Sequence, residues 1–112
     1  MQSLKELVTS NDYGTDKDTT HSYMESYDAI FSEYRDKNIN LLELGSHNGG
    51  SLKLWNDYFP NVNIIGIEIG ERSGLRQFDN VDNVTVYENT DAISFETIRD
   101  IEDLDIKFDI II

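Results

Sequence analysis

The sequence predicts an α/β fold: the N-terminal half of a doubly wound parallel sheet, preceded by a helical segment. Three observations predict it. Short apolar strands alternate with helical patterns from Ile39 to Ile112. The segment Asn63 to Ile69 is apolar almost throughout, as expected of a parallel strand covered on both faces. A glycine-rich turn, Gly45 to Gly50, separates the first strand from the helix after it. Alternation of this kind implies right-handed βαβ crossovers and a parallel sheet.

Taken in chain order, Ser3 to Ser10 has room for a short helix, and Asn11 to Asp18 is polar, holds Gly14 and reads as a loop. A longer amphipathic helix is expected from Thr20 to Arg35. Tyr23, Tyr27, Ile30, Phe31 and Tyr34 recur at helical spacing on one face, and Thr20 or Ser22 is placed to cap its start. Ile39 to Leu44 is the first strand. Ser51 to Phe59 is a helix with Leu52, Trp55, Tyr58 and Phe59 grouped on one side, ended by Pro60. After the second strand, Asn63 to Ile69, Gly70 to Phe78 reads as a loop or short helix and Val84 to Tyr87 as a third strand. Asp91 to Asp100 is then a helix with Ile93, Ile98 and Ile101 inward, and Lys107 to Ile112 a fourth strand. So apolar a strand belongs inside a sheet, since an open edge of this kind invites association. The expectation is therefore a truncated chain, or one whose sheet a partner chain completes, with self-association to a homo-oligomer favoured by the exposed strand.

Composition excludes several classes of function. With 112 residues and 38% apolar content, the chain suits one small ordered domain or part of a larger one. Asp plus Glu number 22 against 9 Lys plus Arg, a formal net charge of −13. No basic cluster reverses it locally, so nucleic acid and anionic membrane are unexpected partners. No run approaches the ~20 apolar residues of a membrane span, and the first residues lack the pattern of a signal peptide. Cysteine is absent, which removes disulfides and thiolate metal sites, and a cytoplasmic setting is the default.

The chemistry concentrates in Leu42-Glu43-Leu44-Gly45-Ser46-His47-Asn48-Gly49-Gly50-Ser51. At Gly45, where the strand turns away, a residue without a Cβ can take positive φ and let a ligand lie against the backbone. Gly49 and Gly50 lead into a helix whose first N–H groups point outward. The spacing G-x-x-x-G-G is neither the G-x-G-x-x-G of dinucleotide sites nor a Walker loop, which weakens a nicotinamide-dependent reading. Glu68 ends the next strand, 23 residues after Gly45, where a crossover would set its carboxylate beside the loop. It could there accept both hydroxyls of a ribose. The plainer alternative is an exposed strand-end carboxylate. Asp91 has two compatible readings, a ligand acceptor or the N-cap of the following helix.

These motifs resemble the class I S-adenosylmethionine-dependent methyltransferases, whose sheet is Rossmann-like. Glu43-Leu44-Gly45-Ser46-His47-Asn48-Gly49 resembles their first motif, and Ile65-Gly66-Ile67-Glu68-Ile69 their second strand with its ribose-binding acid. Tyr13-Gly14-Thr15-Asp16-Lys17, His21-x-Tyr23, Gly49-Gly50-Ser51-Leu52 and Trp55-x-x-Tyr58-Phe59-Pro60 are similar to one subgroup, the macrolide-sugar O-methyltransferases, which overlaps cephalosporin hydroxylase-like sequences. The resemblance implies S-adenosylmethionine as cofactor and a hydroxyl on a sugar or other small molecule as acceptor. It implies that Gly45, Ser46, His47 and Gly49 approach the methionine part, and that Glu43 holds its amino group through water. Glu68 would bind the ribose, Ile69 would pack on the adenine, and Asp91 with the Ala92 N–H would bind the adenine edge. Thr15 and Lys17 would lie in a loop closing over the cofactor, near His21. On this reading residues 1–38 are a helical cap with that loop, and residues 39–112 a cofactor-binding half-domain. In the subgroup, acidic residues after the fourth strand hold a divalent metal such as Mg. This chain ends at Ile112, so no metal ligand and no catalytic base is assigned. A catalytically silent adenosyl-binding fragment or accessory subunit is the alternative.

Overall fold

A computed structural model of the chain describes residues 2–10 and 23–112. The helices are α1 (Leu4–Ser10), α2 (Tyr23–Phe31), α3 (Gly50–Tyr58) and α4 (Phe95–Asp103). The strands are β1 (Ile39–Leu44), β2 (Val62–Ile67), β3 (Val84–Tyr87) and β4 (Ile110–Ile111). Short 3-10 helices follow α2 (Ser32–Tyr34) and β2 (Ser73–Phe78). No helix among the described residues is long and apolar enough to cross a membrane.

All paired strands are parallel, in the spatial order β3-β2-β1-β4. The chain runs outward from β1 to β3, then returns to lay β4 against the other side of β1. That reversal is the switch point of a doubly wound sheet, and it opens a crevice at the carboxyl ends of the central strands. Its register is fixed by Leu41 facing Ile64 on one side and Ile110 on the other. Asp109 ties β4 down: its backbone N–H donates to the Asn40 carbonyl, and its carboxylate accepts the Asn40 N–H, both at 2.9 Å.

Strand alternation divides the core. Leu41, Val62 and Ile64 point to the face covered by α1, α2, α3 and the second 3-10 helix, where Leu4, Leu7, Phe31, Trp55, Tyr58 and Phe78 join one cluster. The described helices of residues 1–38 thus share a core with residues 39–112. Leu42, Ile65 and Ile67 point to the other face, covered by Ala92, Ile101 and Phe108. Aromatic edges lock the first face. Trp55 meets Tyr27 and Phe31 edge-on, at 5.8 and 5.6 Å between ring centroids.

Four expectations need correction, the first being the fourth strand, which covers only Ile110–Ile111 of the expected Lys107 to Ile112. Ile30 is 57% exposed instead of inward, because the buried stripe of α2 runs through Tyr27 and Phe31 toward Tyr34 and leaves Ile30 on its flank. The second strand is Val62–Ile67, so Glu68 and Ile69 lie just beyond it. The last helix begins at Phe95, because Ser94 captures the cap position and accepts the Thr97 N–H at 3.2 Å. Asp91 instead accepts the Ile93 N–H at 3.1 Å in an Asx turn. That shift leaves Ile93 85% exposed and Ile98 exposed, while Thr97 is buried and Ile101 half-buried. Thr20 and Ser22, the expected caps of the longer helix, lie outside the described residues.

One polar staple fastens α2 to α3. The buried Tyr58 hydroxyl donates to Asp28 Oδ1 at 2.6 Å, and the Arg35 guanidinium lies 3.7 Å over the Tyr58 ring while its Nε donates to the Tyr58 carbonyl. Burial raises the phenol's pKa, the Asp28 hydrogen bond and charge add to that, and Arg35 opposes it. The phenol therefore stays a donor across the neutral range. Tyr58→Phe should lose about 1–2 kcal/mol of stability by urea denaturation, the cost of deleting a hydrogen bond to a charged partner. Unaltered stability would show that the staple contributes nothing.

Candidate functional site

The site is built where β1 and β2 end. At Gly45 the chain turns with φ of +83°, and a Cβ placed there would meet nothing within 4 Å among the described residues. The loop therefore presents bare backbone to open space at the crevice. Its N–H and that of Ser46 both donate to the Ile67 carbonyl, at 2.7 and 3.1 Å, which fixes the turn to the end of β2. Ser46 is buried, and its hydroxyl lies 2.5 Å from where a Cβ on Gly66 would sit, so glycine in β2 makes the room for it. His47 takes a left-handed conformation (φ +50°), and Gly49 does so again (φ +87°) before α3 begins.

The 3-10 helix after β2 braces this loop from behind. A Cβ on Gly49 would lie 2.5 Å from the Phe78 ring, and one on Gly74 only 2.6 Å from the Asn48 carbonyl oxygen. Gln77 Nε2 donates to that same carbonyl at 3.2 Å and to Gly74 O at 2.8 Å. The backbone at Asn48 is thus held by packing and by a hydrogen bond.

Glu68 joins the two halves of the site. It is 2% exposed, and its oxygens accept separate donors: Oε1 the His47 N–H at 3.0 Å, Oε2 the Gly70 N–H at 2.9 Å and Arg72 Nε at 3.4 Å. Burial alone would raise its pKa. The Gly70 and His47 N–H groups outweigh that, together with the hydrogen bond and charge of Arg72, and hold the carboxyl below its ordinary range. The group is an ionised acceptor at neutral pH. Glu43 is also buried, at the end of β1, and accepts Trp55 Nε1 at 2.7 Å, so in this structure it faces the aromatic core.

The loop after β3 closes the far side. The Thr90 N–H donates to the Glu68 carbonyl and the Asn89 N–H to the Gly70 carbonyl, both at 3.0 Å. Asp91 is exposed at that rim, Ala92 packs into the second cluster, and Ile69 stands 71% exposed between the two loops. The structure therefore gathers Gly45, Ser46, His47, Gly49 and Glu68 into one unit, with Ile69, Asp91 and Ala92 along its neighbouring loops. Thr15, Lys17 and His21 lie outside the described residues. Among the described residues no three His, Asp or Glu side chains group as a metal site. A cavity of about 60 Å³ between α4 and the ends of β2 and β3 is too small for a nucleoside.

Sequence reasoning missed the bracing residues Gly74, Gln77 and Phe78, and the Arg72 contact. Gly70 to Phe78 was legible only as a loop or short helix. The Glu68–Arg72 spacing of four is an ion-pair signal only once a turn brings the two together.

No family model matches the chain. It is 31% identical over 72 residues to 8-demethyl-8-alpha-L-rhamnosyl tetracenomycin-C 2'-O-methyltransferase of Streptomyces olivaceus, covering 58% of this chain and 19% of that one. It is 33% identical over 60 residues to mycinamicin VI 2''-O-methyltransferase of Micromonospora griseorubida, covering 47% and 15%. Among solved structures, MycE methyltransferase in complex with Mg and SAH superposes with a TM-score of 0.80 at 27% identity, over 98% of this chain and 28% of that one. The chain is similar to the macrolide-sugar O-methyltransferases, in the N-terminal part of the class I S-adenosylmethionine-dependent fold. It spans 19% and 15% of those curated relatives' length and 28% of the solved chain's. The four-stranded parallel sheet of order β3-β2-β1-β4 matches that methyltransferase fold.

Two measurements test this construction. Gly74→Ala should cost roughly 1–3 kcal/mol in urea denaturation, because the neighbour in its way is rigid backbone. Gly45→Ala, facing open space, should cost only the roughly 1–2 kcal/mol of a left-handed non-glycine residue. Glu68 has its own signature. Its folded pKa is depressed, so its contribution to stability is present above the unfolded pKa and disappears as pH falls through the folded value. Glu68→Gln should be less stable than wild type at neutral pH, with the gap narrowing on acidification. A gap constant with pH would contradict the ionised acceptor.

Proposed function

We propose that this chain carries the methyl-donor half of an S-adenosylmethionine-dependent O-methyltransferase acting on a hydroxyl of a sugar or another small molecule. The observation that carries the reading is the ionised Glu68 carboxylate, held by two backbone N–H groups beside the open backbone of Gly45. A buried acceptor next to exposed glycine backbone suits a ribose whose substituent runs along the loop. The relatives supply the direction: those described above are sugar O-methyltransferases, and one MycE structure holds Mg, SAH and mycinamycin VI.

In this reading Glu68 accepts the ribose hydroxyls, and Gly45, Ser46, His47 and Gly49 line the methionine part. Ile69 offers an exposed apolar surface for the adenine face. Asp91 and the Ala92 N–H take its edge. Glu43, engaged with Trp55, acts by fixing the end of β1. S-adenosylmethionine brings an electrophilic methyl group on its sulfonium, so the protein's work is to align the acceptor and remove its proton. Among the described residues no cluster of three acidic or histidine side chains is placed to hold a divalent metal.

Calorimetry on the chain with S-adenosylmethionine, S-adenosylhomocysteine and NAD tests the proposal. Binding of the two adenosyl ligands is expected, and Glu68→Ala should weaken it by roughly 1.5–3 kcal/mol, the scale of hydrogen bonds to a charged acceptor. Binding of NAD with no response to either adenosyl ligand would sink the reading.

A further inference from the structure

We propose that Arg72 occupies the place on the Glu68 carboxylate that a second ribose hydroxyl would take, and must release Glu68 before a vicinal diol can be held there by both carboxylate oxygens. Arg72 is then a specificity-determining residue, one that sets how strongly the site prefers a diol over a single hydroxyl. The inference rests on the reading of Glu68 as the ribose acceptor.

It follows from counting acceptors. An ionised carboxylate offers about four lone-pair positions, two on each oxygen. Oε1 accepts one donor, the His47 N–H, and keeps one position open. Oε2 accepts two, the Gly70 N–H and Arg72 Nε, and is filled. A single ligand hydroxyl can therefore be accepted with every contact intact. A second hydroxyl, on Oε2, needs one of the present donors to leave.

Arg72 is the donor able to leave. The Gly70 N–H belongs to a turn closed by the Asn89 N–H on the Gly70 carbonyl, and His47 is fixed in the loop that α3 and the 3-10 helix brace. Arg72 Nε makes the longest of the three contacts, and its side chain is 45% exposed against 2% for Glu68. Its backbone is anchored separately, the N–H donating to Glu88 Oε1 at 3.0 Å, while Glu88 Oε2 pairs with Arg76. The guanidinium can swing into water without moving the main chain. The contact has a purpose of its own, since a buried carboxylate short of donors is costly. Arg72 fills that need, and the ligand's second hydroxyl takes it over.

Adenosine, 2'-deoxyadenosine and 3'-deoxyadenosine are neutral probes that differ only in the diol, so a change of protein charge affects them alike. Titrated by NMR against wild type and Arg72→Met, they form a cycle that isolates the coupling of Arg72 to the second hydroxyl. The preference for adenosine over either deoxynucleoside should rise roughly two- to five-fold in Arg72→Met, the scale of one partly exposed ion pair. A preference unchanged or reduced, with wild type binding adenosine, would overturn the proposal and leave the ribose reading of Glu68 intact. Wild type binding neither the nucleosides nor S-adenosylhomocysteine would instead overturn that reading, and this proposal with it. Wild type alone gives a second readout. Its preference for adenosine should grow as salt weakens the exposed end of the pair, and a flat or falling preference would count equally against the proposal.

Discussion

The hydrogen bonds of the Glu68 carboxylate hold the upper end of this molecule together. One oxygen takes the N–H of His47, from the loop after β1, and the other takes the N–H of Gly70, from the turn after β2. Two adjacent parallel strands are thereby joined just past their last ladder bonds, where parallel strands ordinarily diverge into separate crossovers. The left-handed conformation of His47 and the tight turn at Gly70 belong to an arrangement that keeps a buried carboxylate satisfied. Charge is what makes this worthwhile, since hydrogen bonds to an ionised acceptor are the stronger kind.

The remaining features follow from placing that carboxylate correctly. Glycine at position 66 admits the Ser46 hydroxyl beneath the loop, glycine at 74 admits the Asn48 backbone, and glycine at 49 admits Phe78. Three glycines thus let three segments touch at backbone distance, and the loop is held from below and behind. Around Gly45, by contrast, no described residue comes within 4 Å of where a Cβ would sit. At that position the packing leaves the backbone exposed.

Much of this was legible in the residues. The alternation of strands and helices gave the doubly wound class, and Gly45, Gly49 and Glu68 stood out because a strand, a glycine turn and a second strand bring them together by topology. Where the reading failed, two local signals competed. Asp91 and Ser94 are both good caps, and Ser94 prevailed because its hydroxyl meets the Thr97 N–H while Asp91 closes its own Asx turn. Ile30 and Phe31 both fit a helical stripe, and only the position of Trp55 decides which one is buried. Gly74, Gln77 and Arg72 were invisible for a different reason. Their roles depend on a 3-10 helix folding back across the loop, and no periodicity along the chain encodes that approach.

The two faces of the sheet are covered unequally. Three helices and a 3-10 helix bury a broad cluster on one side, whereas α4 and a few neighbouring residues cover Leu42, Ile65 and Ile67 on the other. Amide protection should be distributed in the same way. The segment Thr90 to Leu104 would open in a small, separate excursion, while β1, β2 and α3 exchange only with the whole fold. On that partition the rim around Asp91 should rearrange on a faster timescale than Glu68 can be disturbed.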